Sequence, residues 1–88
     1  MSMIERAARA LAKTQSGTDE WNGLDPDLKA QLIAEARAVF EAVREPSEKM
    51  ALAGEKLLAD DRCHSVDAGD LRDSWTVMVD ALLDEATD

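Results

Sequence analysis

Tyrosine is missing from this 88-residue chain, phenylalanine occurs once and tryptophan twice. With few aromatic and β-branched residues and no segment of alternating polarity, the chain offers nothing from which to build a sheet. There is one cysteine, Cys63, so no internal disulfide can form and an oxidising compartment would add nothing to the fold. Nothing resembles a glycine-rich phosphate loop. No apolar run approaches the roughly 20 residues needed to span a membrane. Residues Met1 to Arg6 also lack the apolar stretch of a signal peptide, so a cytoplasmic location, within a host cell, is expected. Positive charge is scarce as well: ten bases stand against nineteen acids, for a net charge of −9. Phosphate contacts need Lys and Arg, which argues against direct binding to nucleic acid or to an anionic membrane surface. The same imbalance favours a basic partner surface.

Apolar residues make up 45% of the chain, too many for a disordered one, and they are mainly Ala, Leu, Val and Met. That mixture favours helix. The length sets one domain, which buries roughly 60–65% of its unfolded surface, so a partner or a second copy of the chain can matter to stability. The charge is uneven. Residues 1–14 carry +2, residues 15–45 carry −4, residues 46–59 are neutral and residues 60–88 carry −7.

Four helices are predicted. The first runs from about Met3 to Lys13, opened by a Ser2/Glu5 capping box, with Ile4, Ala8 and Leu11 on one face. Residues 14–24 read as a loop anchored in the core by Trp21. The second opens on Asp25 as N-cap with Pro26 in its first turn. It carries a wide stripe of Leu28, Leu32, Ala36, Val39, Phe40 and Val43, and ends near Arg44 or Glu45 ahead of Pro46. The third runs from Pro46 to about Leu58 with Met50, Ala53, Gly54 and Leu57 on one face; Gly54 suggests that another helix approaches closely there. Residues 59–66 read as a polar connection. The fourth runs from Val66 or Asp67 to Glu85 with an apolar seam of Leu71, Trp75, Met78 and Leu82. The expected fold is an all-α bundle of about four helices joined by short loops.

Three segments carry a resemblance: Ile4 to Leu11; Ala36 to Val39 continuing into Arg44 to Met50 with Ala53 and Gly54; and Trp75 to Leu82. Together they resemble a group of small helical proteins encoded by bacteriophages and prophages. The resemblance implies a phage context and a helical fold, and it carries over no active site. In size and charge the chain is also similar to anti-CRISPR proteins and other phage inhibitors of host defence.

Catalytic constellations are not evident. Cys63 and His64 are adjacent, and neighbouring side chains diverge on most backbones, which leaves the thiol without a base. Asp60, Asp61, Cys63, His64 and Asp67 lack the spacings of zinc or calcium sites. No metal, cofactor or catalysis is therefore expected. Trp21 and Trp75 are expected in the core rather than at an interface.

The most informative pattern is a row of carboxylates on the fourth helix. At 100° per residue, Asp70, Asp73, Asp80 and Asp84 fall within an arc of about 80°, and Asp88 would join them if the helix lasted that far. Val77 lies in the same arc, and the helix places no Lys or Arg there. Such a row is suited to a basic, nucleic-acid-binding surface. The expected function is a phage-encoded, non-enzymatic binding protein that inhibits a basic host defence protein by surface docking, with Asp70, Asp73, Val77, Asp80 and Asp84 as partner-binding residues. The alternative is a virion or packaging accessory protein that self-assembles through helix faces, and a homodimer is compatible with either.

Overall fold

The computed structural model describes residues 1–17 and 20–85. Four α-helices follow in chain order: α1 (Met3–Ser16), α2 (Pro26–Ala42), α3 (Glu48–Glu55) and α4 (Ala68–Glu85). A 3-10 turn, Trp21–Gly23, lies between α1 and α2, and α3 continues directly into a π-helical segment, Lys56–Asp61. No strand occurs among the described residues. The chain is an all-α bundle, as its composition implies. Thr18 and Asp19 of the expected 14–24 loop, and Asp88 of the expected acidic row, lie outside the described residues.

Local chemistry accounts for most of the boundaries. Ser2 Oγ accepts the Glu5 N–H at 3.1 Å to open α1. The helix runs one turn past Lys13 because its stop is Gly17, at φ +78°, whose N–H reaches the Lys13 carbonyl at 2.7 Å. Asp25 caps α2 by accepting the Asp27 N–H at 2.8 Å. The α2 helix stops at Ala42, short of the Arg44 or Glu45 expected from Pro46. Pro46 is not part of the third helix. It is buried, and Ser47 caps α3 by accepting the Met50 N–H at 3.2 Å. The segment expected as a polar connection from residue 59 is still helical to Asp61 and ends on Cys63 at φ 58°. A non-glycine residue there breaks the helix at some cost. Asp67 and Asp70 cap α4 reciprocally. Asp67 Oδ1 accepts the Asp70 N–H at 3.0 Å, and Asp70 Oδ2 accepts the Asp67 N–H at 3.1 Å.

The helices pair as two hairpins. Between α1 and α2 lies the core of Ile4, Ala8, Ala12, Trp21, Leu32 and Ala36, with Leu11, Ile33 and Phe40 packed against it. Trp21 is buried as expected, with the Arg9 guanidinium 5.6 Å and the Lys29 ammonium 5.9 Å from its ring centre. Leu82 and Leu83 bring the end of α4 onto this core, and Arg37 donates to the Leu83 carbonyl at 3.3 Å. A cation there suits the negative end of α4. In the α3–α4 half of the molecule far less is buried: Ala51 on α3, Val79 on α4, and Pro46 just ahead of α3. Gly54 is pressed against Leu71, as its place inside a helix suggested. A Cβ on it would lie 2.8 Å from Leu71 Cδ1 and 2.9 Å from Cγ.

The molecule is long, 49 × 25 × 20 Å. Its radius of gyration is 16.3 Å, against about 12 Å for a compact domain of this length.

Candidate partner-docking face

The seam expected on α4 is covered only in part: Leu71, Trp75 and Leu82 are half-buried, and the centre of the buried face lies to one side of them. Val79 is the buried residue of this helix, and Met78 is 65% exposed. Ala68, Arg72, Trp75, Thr76, Leu82 and Leu83 are half-buried around Val79. The buried arc is therefore turned by about 70° from the Leu71–Trp75–Met78–Leu82 seam. Similar departures occur elsewhere: Val39 and Val43 of the α2 stripe are exposed, as are Met50 and Leu57 of the α3 face.

Three side chains of α4 hold the end of α2. Trp75 Nε1 donates to the Val43 carbonyl at 2.7 Å and Thr76 Oγ1 to the Arg44 carbonyl at 3.2 Å. Both carbonyls belong to the terminus of α2, where no intrahelical N–H is left to take them. The third is Asp80. Arg44 forms a two-pronged pair with it, Nε to Oδ1 at 2.5 Å and Nη2 to Oδ2 at 2.9 Å. This hydrogen bond and the paired charge hold the Asp80 carboxyl below its ordinary pKa and lift that of Arg44 above its own.

That pair corrects the picture of an uncompensated acidic row. No Lys or Arg of α4 lies on the row, but one from α2 reaches it through space, and Asp80 is thereby occupied. Asp70 is occupied too, since its carboxylate accepts the Asp67 N–H and complements the helix dipole. Asp73, Val77 and Asp84 share the exposed arc beside the Arg44–Asp80 pair. Asp73 is exposed and makes no ion pair among the described residues. Asp84 is exposed near the helix end. Val77, between them, is 66% exposed. The sequence could not show Arg44 as a constituent of this region. It is 36 positions from Asp80, and no spacing rule links them.

On the opposite flank of α4, an open apolar groove runs between α3 and α4, lined by Pro46, Met50, Ala51, Leu71, Trp75 and Met78. The assignment of Leu71, Trp75 and Met78 to a simple core seam missed it. The loop 62–67 contributes no cluster: Cys63 and His64 are both exposed. Among the described residues no three His, Cys, Asp or Glu side chains are grouped to hold a metal ion. None of the described helices is long and apolar enough to cross a membrane.

No protein-family model matches the chain, and no curated protein and no solved structure matches it.

Proposed function

We propose that this protein is a non-enzymatic binding module that docks the acidic flank of α4 on a basic protein surface, with Asp73 and Asp84 as charged contacts around Val77. The observation that carries this reading is Val77: a β-branched apolar side chain, 66% exposed, set in a row of carboxylates. An interface with an apolar centre and a charged rim uses such a side chain. The charge of −7 over residues 60–88 would steer a cationic partner towards this face. A protein whose own task is to hold nucleic acid presents such a surface, and inhibition of a host defence protein by a phage would be one use of it. Asp80 takes part indirectly, by fixing Arg44 beside the row.

The test is to titrate the chain against a panel of purified basic nucleic-acid-binding proteins, each with and without its nucleic acid, at low and raised salt. A complex that nucleic acid competes away and that salt weakens is expected. D73K/D84K should weaken it by about tenfold or more while helical content is kept. V77D should also weaken it, although it adds negative charge, because a desolvated carboxylate replaces an apolar contact. Equal affinity for wild type and D73K/D84K would overturn the reading.

A further inference from the structure

We infer that the α3–α4 hairpin is a dimerisation element, and that its apolar groove is filled by the same hairpin of a second copy to make a four-helix bundle. Three observations converge on this.

The first is angular. On α4 the seam of Leu71, Trp75, Met78 and Leu82 is turned about 70° from the arc centred on Val79 that the monomer buries. On α3 the stripe of Met50, Ala53 and Gly54, which Leu57 continues into the π segment, is turned by about 130° from the arc centred between Ala51 and Glu55. Both rotations bring residues to one place, the groove where Met50, Leu71 and Met78 meet. The two helices thus carry apolar stripes laid out for a packing that one copy does not complete. Met50 and Leu57 are each 46% exposed and Met78 is 65% exposed as a result.

The second is area. The chain exposes 6242 Å², about 1,100 Å² more than the roughly 5,100 Å² of a compact monomer of 9.6 kDa. A standard interface removes about 800 Å² per partner, so one such interface would account for most of the excess. An isologous pairing uses the same groove on both copies and closes after two, leaving no further groove open. Two helices from each copy around one apolar centre is also the arrangement in which helical hairpins bury their stripes.

The third is charge. Residues 46–59 are neutral, so the α3 side of the groove brings no net charge to the interface. The acidic flank of Asp73, Asp80 and Asp84 is centred about 170° around α4 from the groove. The negative faces would therefore point away from each other across a dimer. The inference stands on the groove and is independent of what the acidic flank binds.

Sedimentation velocity and light scattering on the full chain provide the test. A mass of twice 9.6 kDa is expected at micromolar concentration, held or strengthened as salt rises. M50K/M78K replaces two exposed side chains, so the fold is kept. It also lowers the net negative charge of the chain, so a loss of dimer would come from the lysines placed in the groove and not from greater overall repulsion between the copies. It should sediment as the single chain, with unchanged helical circular dichroism. V39K, in the separate groove formed by Ala7, Leu11, Ala36, Val39 and Phe40, should leave the doubled mass intact. A wild-type chain that stays at 9.6 kDa at several hundred micromolar overturns the inference. So does a dimer that M50K/M78K leaves unchanged, or one that V39K dissociates, because the interface would then lie elsewhere. A failure here leaves the salt-sensitive binding of the acidic flank to be judged by D73K/D84K alone.

Discussion

The two hairpins are built from similar parts and end with different interiors. In the first, α1 and α2 enclose six buried apolar side chains. One of them, Trp21, comes from the connection rather than from either helix. In the second, only Ala51 of α3 and Val79 of α4 are buried among the described residues, with Pro46 just ahead of α3. The connection there, Arg62 to Asp67, is mostly polar, and its one aliphatic side chain, Val66, is half-buried where Trp21 is buried. Two helices laid side by side bury only a strip along their line of contact. A third apolar element must close the strip into a core, and the α1–α2 hairpin has one in its own loop. The α3–α4 hairpin has none buried to that degree, and its stripes face an open groove.

The largest test of this contrast is a pair of truncations. Ile4 is fully buried in the first hairpin, so I4A should cost about 2–5 kcal/mol in denaturant unfolding, a large part of the stability of a domain this size. V79A, in the second, should cost about 1–3 kcal/mol. Equal costs would mean that the two interiors are equally developed, and the contrast would fall.

Gly54 sharpens the comparison at one point. Alanine there would gain about 1 kcal/mol of helix propensity but place a Cβ 2.8 Å from Leu71 Cδ1, and overpacking of this kind costs about 1–3 kcal/mol. G54A should therefore be net destabilising. The same change in an L71A background should lose its penalty, measured as a double-mutant cycle. A stabilising G54A in the wild-type chain would show that α3 and α4 are free to move apart.

Amide exchange examines the same difference without a mutation. In dilute protein, amides of α3, the π segment and the first half of α4 should exchange through smaller openings than those of α1 and α2, because fewer apolar contacts hold them. The gap should narrow as protein concentration rises, since association stabilises the folded hairpin by mass action. Uniform protection at all concentrations would count against both the contrast and the dimer.

The smallest effect belongs to the Arg44–Asp80 pair, which joins the end of the first hairpin to the second. Its carboxyl is held below its ordinary pKa, so the folded state binds this proton less readily than the unfolded chain. The contribution is present in full above the ordinary carboxylate range and is lost as pH falls through the lowered value. The raised pKa of Arg44 matters only in strong alkali. The pair is exposed, so the effect is minor. The melting temperatures of wild type and D80N should differ slightly at neutral pH and converge as acid protonates the Asp80 carboxyl. A difference that grows on acidification would contradict the pairing.

Sequence alone determined the helical class, because no segment had the period of a strand and every capping residue stood where a helix could begin. Ser2 and Asp25 act as caps through bonds within three residues, and such local chemistry is legible without the fold. Ser47 caps in the same way, although the sequence suggests a third helix that already begins at Pro46. The placement of Trp21 in the core and the close approach at Gly54 were legible for a similar reason, since each is a feature that only one environment tolerates well. Tertiary structure decided the rest. Periodicity shows that Leu71, Trp75 and Met78 share a face, but not whether the second helix meets that face squarely or at its edge. In the fold α3 meets this face at Leu71, against Gly54, and leaves Met78 in the open. The same limit applied to the acidic row: spacing along α4 brought Asp70, Asp73, Asp80 and Asp84 together, while only the fold could bring Arg44 from another helix to one of them. A helix's own sequence sets which residues lie side by side, and the neighbouring helices set which of them are covered.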